Sequence, residues 1–277
     1  LAWKIMVAGA LLAVVAGFLS SRPMDILVVA VAIAGFGVLS YGMWLRWQIA
    51  GRIPAANMFE SLLFLSWGAG AFAIVSMIFM RDRMVPLTAS AIGALALFLA
   101  NELPIDHFIR PIAPVLMDTV WMSIHVPGIM VSYAVLALAA FIAHLQIAAM
   151  ALVPRKKAWV DKLQALHYWY MHVGTILLGA GIITGSMWAA SSWGRYWGWD
   201  PKEVWSLIAF LAYLVILHVR VDRELTPAWI YVVGLVLAAA LFVIVVPKMA
   251  PLTPLKMVSL ASAGALCAIF VLVRGSF

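Results

Sequence analysis

Charge is what this 277-residue chain has least of, with Asp, Glu, Lys and Arg together making up 10% of it. Soluble domains carry about 25% charged and 45–50% apolar residues, whereas this chain is 66% hydrophobic. A mean hydropathy of +1.08 excludes a soluble enzyme, a nucleic-acid binder, a collagen or a disordered tail as a reading of the whole chain. Cysteine is nearly absent as well. Cys267 stands alone within an apolar run, so no intrachain disulfide, CxxC redox pair or CxxCH haem-attachment motif is available. The chain is neither a c-type cytochrome nor a thiol oxidoreductase. Low-complexity linkers and helix-scale repeats are missing too, and residues 1–277 read as one integral membrane domain.

Long apolar runs are what the chain does have. Crossing the hydrocarbon takes about 20 apolar residues. Runs at 3–19, 26–45, 58–80, 85–100, 126–153, 172–190, 203–220, 226–246 and 256–273 reach or approach that length. They predict an all-α polytopic bundle of about eight or nine transmembrane helices. The first run, flanked by Lys4, reads as a span or as a signal peptide.

The net charge of +7 belongs to short loops, where it reports topology and lipid contact rather than nucleic acid. Arg22, Arg81, Arg83, Arg155, Lys156, Lys157, Lys162, Arg220, Arg223 and Arg274 fall on one side of the alternating spans. Lys4, Arg46, Arg52, Arg110, Arg195, Lys202, Lys248 and Lys256 fall on the other. The dense cluster is Arg155–Lys162, and it marks the cytoplasmic side. The 101–121 and 191–202 loops then face outward.

Two spans open on helix-capping patterns. Asn57 stands three residues before Glu60, and Asp200 three before Glu203 with Pro201 at the first helical position. Such pairs satisfy backbone N–H groups that lipid cannot solvate. Capping alone accounts for all four polar residues.

The segment Trp193-Gly-Arg195-Tyr-Trp197-Gly-Trp199-Asp200-Pro-Lys-Glu-Val-Trp205 exceeds an interfacial aromatic belt, with four tryptophans and a tyrosine in thirteen residues. It offers flat apolar faces to a large planar ligand, with Arg195 and Lys202 beside them for carboxylates. A porphyrin fits that description, and so does a quinone or a lipid.

At this point the residues resemble a known family. WGRYWGWDPKEVW is similar to the tryptophan-rich "WWD" signature of cytochrome c assembly proteins of the CcsA/ResC type. NMFESLLFLSW (57–67), HVPGIMVSYAVLALA (125–139) and LHVR (217–220) resemble further segments of that family in the same order. Together they cover residues 40–220. The resemblance implies binding of non-covalent, b-type haem and its delivery to apocytochrome c on the outer face of a bacterial-type cytoplasmic or thylakoid membrane. A ResB/CcsB-like membrane partner is implied as well, and the chain is open to being part of a holocytochrome c synthase or haem lyase. By resemblance, the tryptophan loop (Trp193, Arg195, Trp197, Trp199, Asp200, Trp205) cradles haem, His125 is an axial ligand outside, and His218 binds haem within the membrane. The family's second external histidine is missing from residues 245–257, where Met249 and Met257 are the available substitutes.

Helix rise sorts the histidines by depth. His144 lies about 28 Å past His125, His218 about 27 Å below Asp200, and His172 about 31 Å from Trp193. This predicts an inner level shared by His144, His172 and His218, any of which is a candidate haem ligand. His107 and His167 read as loop or interface residues. The alternative is a haem-b electron-transfer subunit of a larger respiratory complex that exchanges electrons with quinol, which the extra inner histidines would suit.

Sidedness is open to direct measurement. In a Cys267→Ser chain, a cysteine introduced near Trp193 is expected to react with an impermeant thiol reagent in intact cells. Labelling only after lysis overturns the orientation.

Overall fold

The computed structural model describes residues 2–19, 22–112, 120–153 and 155–221, and the regular structure among them is helical throughout. The elements are α1 (Ala2–Leu19), α2 (Arg22–Ala50), α3 (Met58–Met80), α4 (Met84–Glu102), α5 (Val120–Leu152), α6 (Lys157–Trp193) and α7 (Pro201–Val221). Six of these helices are long and apolar enough to cross a membrane, and the chain is an integral membrane protein. The expected spans at 226–246 and 256–273 lie outside the described residues, as do Cys267, Met249 and Met257. The chain divides after Gly198 into two compact units. α1–α6 belong to the first and α7 to the second.

Polar side chains and special backbone geometry set the helix ends. Asn57 is extended (φ −137°, ψ 173°) and its Oδ1 accepts the Glu60 N–H, which starts α3. Arg81, in the left-handed region at φ 45°, ends α3 by donating its N–H to the Met77 carbonyl. Asp82 Oδ1 then accepts the Met84 N–H at 2.8 Å and opens α4.

α4 is the most enclosed helix, and its buried residues are mostly small: Ala89, Ser90, Gly93, Ala94, Ala96 and Ala100. Small side chains let neighbours approach closely where lipid supplies no hydrophobic driving force. α1 packs on one flank, with Met6 Sδ near Gly93, and Ser66 of α3 donates to that sulfur at 3.6 Å. Tyr170 of α6 reaches the same core. Its hydroxyl meets Thr88 Oγ1 at 3.3 Å, and its ring stands edge-on to Phe72 at 5.1 Å.

α5 and α6 form the longest antiparallel pair, at 33 and 37 residues. A Cβ at Gly174 would lie 2.6 Å from Leu136, and one at Gly181 would lie 2.5 Å from Ile129. Ser132 Oγ donates to the Gly174 carbonyl at 2.9 Å. The Leu136 and Ile129 side chains thus rest on glycines, and the two helices pack closely there.

Both ends of the first unit are tied by ion pairs. At one end, Arg83 meets Asp25 at 2.7 Å and Lys162 meets Asp82 at 3.0 Å. At the other, the fully buried Glu60 carboxylate takes Arg46 Nε at 2.8 Å and Arg52 Nη1 at 3.1 Å. It also accepts the Ala56 N–H at 2.6 Å. This corrects the capping expectation for Glu60. Asn57 does cap α3, but Glu60 joins α2, the 51–57 connection and α3 in one charged knot.

The span expected at 172–190 is also corrected. α6 begins at Lys157, so His167 is helical and His172 lies well inside the helix. Residues 157–171 are less apolar than the rest, and packing rather than hydropathy keeps them helical: Leu163, Leu166 and Tyr170 are buried.

Removing one partner of a buried ion pair costs about 3–5 kcal/mol. Glu60→Ala is therefore expected to lower the thermal unfolding temperature of the detergent-solubilised chain strongly. An unchanged unfolding temperature contradicts the role given to the knot.

Candidate functional site

His125 sits in the second turn of α5 and faces α6. Its Nδ1 lies 2.9 Å from the Gly181 carbonyl and 3.5 Å from Thr184 Oγ1. A carbonyl oxygen only accepts, so Nδ1 carries the proton and Nε2 keeps the lone pair. A Cβ at Gly185 would come within 2.7 Å of His125 Cε1. Gly185 is therefore the slot that receives the imidazole. Trp188, one turn further along α6, lies against the ring at 5.7 Å between centroids, and Trp193 lies 5.9 Å from Trp188. The structure thus brings His125, Gly185, Trp188 and Trp193 together.

The loop itself starts where α6 ends. Gly194 stands at φ 68° and donates its N–H to the Ala190 carbonyl. A Cβ at Gly198 would fall on the Arg195 guanidinium, so Arg195 lies directly over that glycine. Trp193 and Tyr196 are exposed. Within the second unit, Trp199 is exposed by 67% and Trp205 by 42%. Trp199 has φ 58°, a conformation bulky side chains rarely adopt and one that costs about 1–3 kcal/mol. Asp200 Oδ1 accepts the N–H groups of Lys202 and Glu203 at 2.8 and 3.1 Å. Glu203 Oε2 returns the contact to the Asp200 N–H at 3.3 Å. The reciprocal capping expected here is present.

The other histidines share one feature. His144, His172 and His218 each place Nδ1 on the carbonyl four residues back, at 2.7, 3.0 and 2.7 Å. In each, Nε2 is left as the lone-pair nitrogen. Tyr168 also stands edge-on to the His172 ring at 4.1 Å.

Their levels differ from expectation. Facing residues of α5 and α6, such as 125 with 181 or 132 with 174, have numbers adding to 306–310. That register sets His144 opposite 162–166 and His172 opposite 134–138. The two are about 9–15 Å apart along the helices, so the shared inner level is corrected for this pair. His125 is likewise about 12–18 Å of helix below Trp193, and the Trp188 ring spans part of that gap. His218 belongs to the second unit.

The loop following α4 is held largely through its main chain. Arg46 Nη2 donates to the His107 carbonyl at 2.9 Å, and Arg52 Nη2 to the Arg110 carbonyl at 3.0 Å. Asn57 Nδ2 reaches the Asp106 and Phe108 carbonyls at 3.2 and 3.3 Å. His107 Nε2 lies 2.9 Å from the Ala100 carbonyl, and its ring is edge-on to Phe59. The Phe108 N–H and the Arg110 guanidinium hold the Asp106 carboxyl below the usual carboxylate range.

Sequence reasoning passed over Gly185, Trp188 and the Arg46–Glu60–Arg52 knot. The first two carried a signal: Gly181, Gly185 and Trp188 are spaced to share one helical face. The knot left none, because nothing in its residue types or spacing marks which arginines turn towards Glu60.

Comparisons with known proteins agree with this picture. Residues 55–249 match the family described as "Cytochrome C assembly protein". The chain is 31% identical over 261 residues to the cytochrome c biogenesis protein CcsA of Synechococcus sp. (strain CC9902), covering 80% of this chain and 84% of that one. It is 35% identical over 193 residues to protein NrfI of Wolinella succinogenes, covering 68% of this chain and 21% of that much longer protein. A solved structure of the cytochrome c haem lyase CcmF shares the fold, with a TM-score of 0.55 at 20% identity over 82% of this chain and 41% of that one. With more than half its length matched, the chain belongs to the cytochrome C assembly protein family, as a CcsA-type member with a role in c-type cytochrome maturation.

Proposed function

We propose that the chain binds haem at His125 and presents it on the outer side of the membrane for attachment to apocytochrome c, together with a ResB/CcsB-like partner. The observation that carries this reading is the state of His125. Its Nδ1–H is committed to the Gly181 carbonyl, and the ring is seated in the Gly185 slot. Ligating histidines are commonly held in this way, with the other ring nitrogen donating to a carbonyl that fixes tautomer and orientation.

The donor set suits haem iron, which accepts neutral imidazole. In the first unit, Trp193 and Trp197 supply aromatic surface for a porphyrin and Arg195 supplies a cation; in the second, Trp199 and Trp205 are exposed rings of the same sequence motif. Asp200 acts through α7, whose start it caps. Haem, when bound, brings the iron and the vinyl groups that thioether attachment needs. The protein contributes binding, orientation and exclusion of water. The Arg155–Lys162 end is read as cytoplasmic and the tryptophan loop as outward.

His218 is proposed to hold haem within the membrane, with its second ligand supplied by the partner protein. His144 stands opposite the Lys162 end of α6. The electron-carrier alternative gains nothing from the inner histidines, since His144 and His172 are not level.

A pyridine haemochrome assay of the purified chain tests the assignment of His125. Haem content is expected to fall sharply in His125→Ala and equally in Gly185→Val, which fills the imidazole slot. Gly37→Ala, where an added Cβ meets nothing within 4 Å, is expected to keep it. Full haem in both His125→Ala and Gly185→Val overturns the reading.

Trp199 provides a second test. Trp199→Gly removes the left-handed strain, and the thermal unfolding temperature is expected to rise or hold. Haem affinity is expected to drop. A variant that binds haem normally makes Trp199 an interfacial residue only.

A further inference from the structure

Just above His125, α6 carries two buried polar atoms without a hydrogen-bond partner, the Trp188 Nε1–H and the Ser192 hydroxyl. They are four residues apart and therefore share a helical face. Neighbouring serines behave differently. Ser186 and Ser191 donate back to the Ile183 and Trp188 carbonyls at 2.8 Å each, as helical serines commonly do. An indole N–H has no such recourse, because it only donates and its own helix has no carbonyl within its reach. A buried donor without an acceptor is destabilising unless a ligand supplies one.

Position limits what that ligand group is. The Trp188 ring lies against His125 on one side and against Trp193 on the other. Trp193 is exposed by 53%, so a surface side chain adjoins the indole on the side towards the tryptophan loop. Ser192 lies about 10–16 Å along α6 from the Gly181–Gly185 slot, on the way to the tryptophan loop. A planar group held at His125 Nε2 and extending along α6 would bring its periphery to these two donors. Two unpartnered donors one turn apart on the same helical face suit an anionic oxygen.

We propose that the Trp188 Nε1–H and the Ser192 hydroxyl receive a carboxylate of the porphyrin whose iron His125 holds. This rests on the haem reading above and adds the residues that set which edge of the porphyrin points outward. The iron then sits deeper on α6, and the carboxylates sit nearer the loop and water.

The test compares binding of haem and of haem dimethyl ester, whose carboxylates are blocked, to the purified full chain. The unaltered chain is expected to prefer haem by about tenfold or more, the scale of a charge-assisted hydrogen bond. In Trp188→Phe, and separately in Ser192→Ala, that preference is expected to shrink several-fold. The ester's affinity is expected to fall by less than that of haem in both variants. An undiminished preference in both variants, or no preference in the unaltered chain, overturns the proposal while leaving His125 as ligand. An unaltered chain that binds neither compound overturns the proposal and the haem reading together.

Discussion

The close approach of α5 and α6 governs the height and orientation of His125. The Leu136 and Ile129 side chains occupy the space where a Cβ on Gly174 and Gly181 would stand, so the two helices seat on each other at those points. Ser132 adds a hydrogen bond to the Gly174 carbonyl, fixing the same register. Once it is fixed, His125 faces the Gly181 carbonyl, its tautomer follows, and Trp188 meets its ring. Glycine at these positions is tolerated in a long helix because packing in lipid rewards closeness more than local propensity penalises it. The candidate site is thus a product of helix contact, with each side chain positioned by the partner helix.

The Glu60 end of the first unit depends on a different device. A carboxylate with no solvent exposure, paired with two guanidiniums, is favourable only because its oxygens are fully engaged. Glu60 meets that condition with two arginines and the Ala56 N–H. The arginines turn their remaining donors to the loop after α4. One anion therefore organises α2, α3 and the loop at once.

Much of this was legible in the sequence. Apolar runs located the described helices, and the caps at Asn57 and Asp200 were readable from residue type and spacing. The tryptophan segment and its companion motifs pointed to the family before any coordinates. Hydropathy could not show that α6 begins at Lys157, since its first turns are polar and are held by Leu163, Leu166 and Tyr170. Depth counted along single helices misjudged His144 against His172, because register between helices depends on which residues are small enough to touch. The Glu60 knot stayed hidden for a related reason. Nothing local distinguishes an arginine aimed at a lipid headgroup from one aimed at a buried glutamate.

Apart from His107 and Asp106, the loop after α4 is gripped by its main chain. Arg46, Arg52 and Asn57 hold carbonyl oxygens of residues 106–110, groups that every amino acid possesses. Ile105 and Ile109 take no part in the grip, so their identities are free to drift over evolutionary time while the loop's path is preserved. A segment anchored in this way separates shape from surface character. Related proteins can change what this face displays to its surroundings without rebuilding the end of the bundle beneath it.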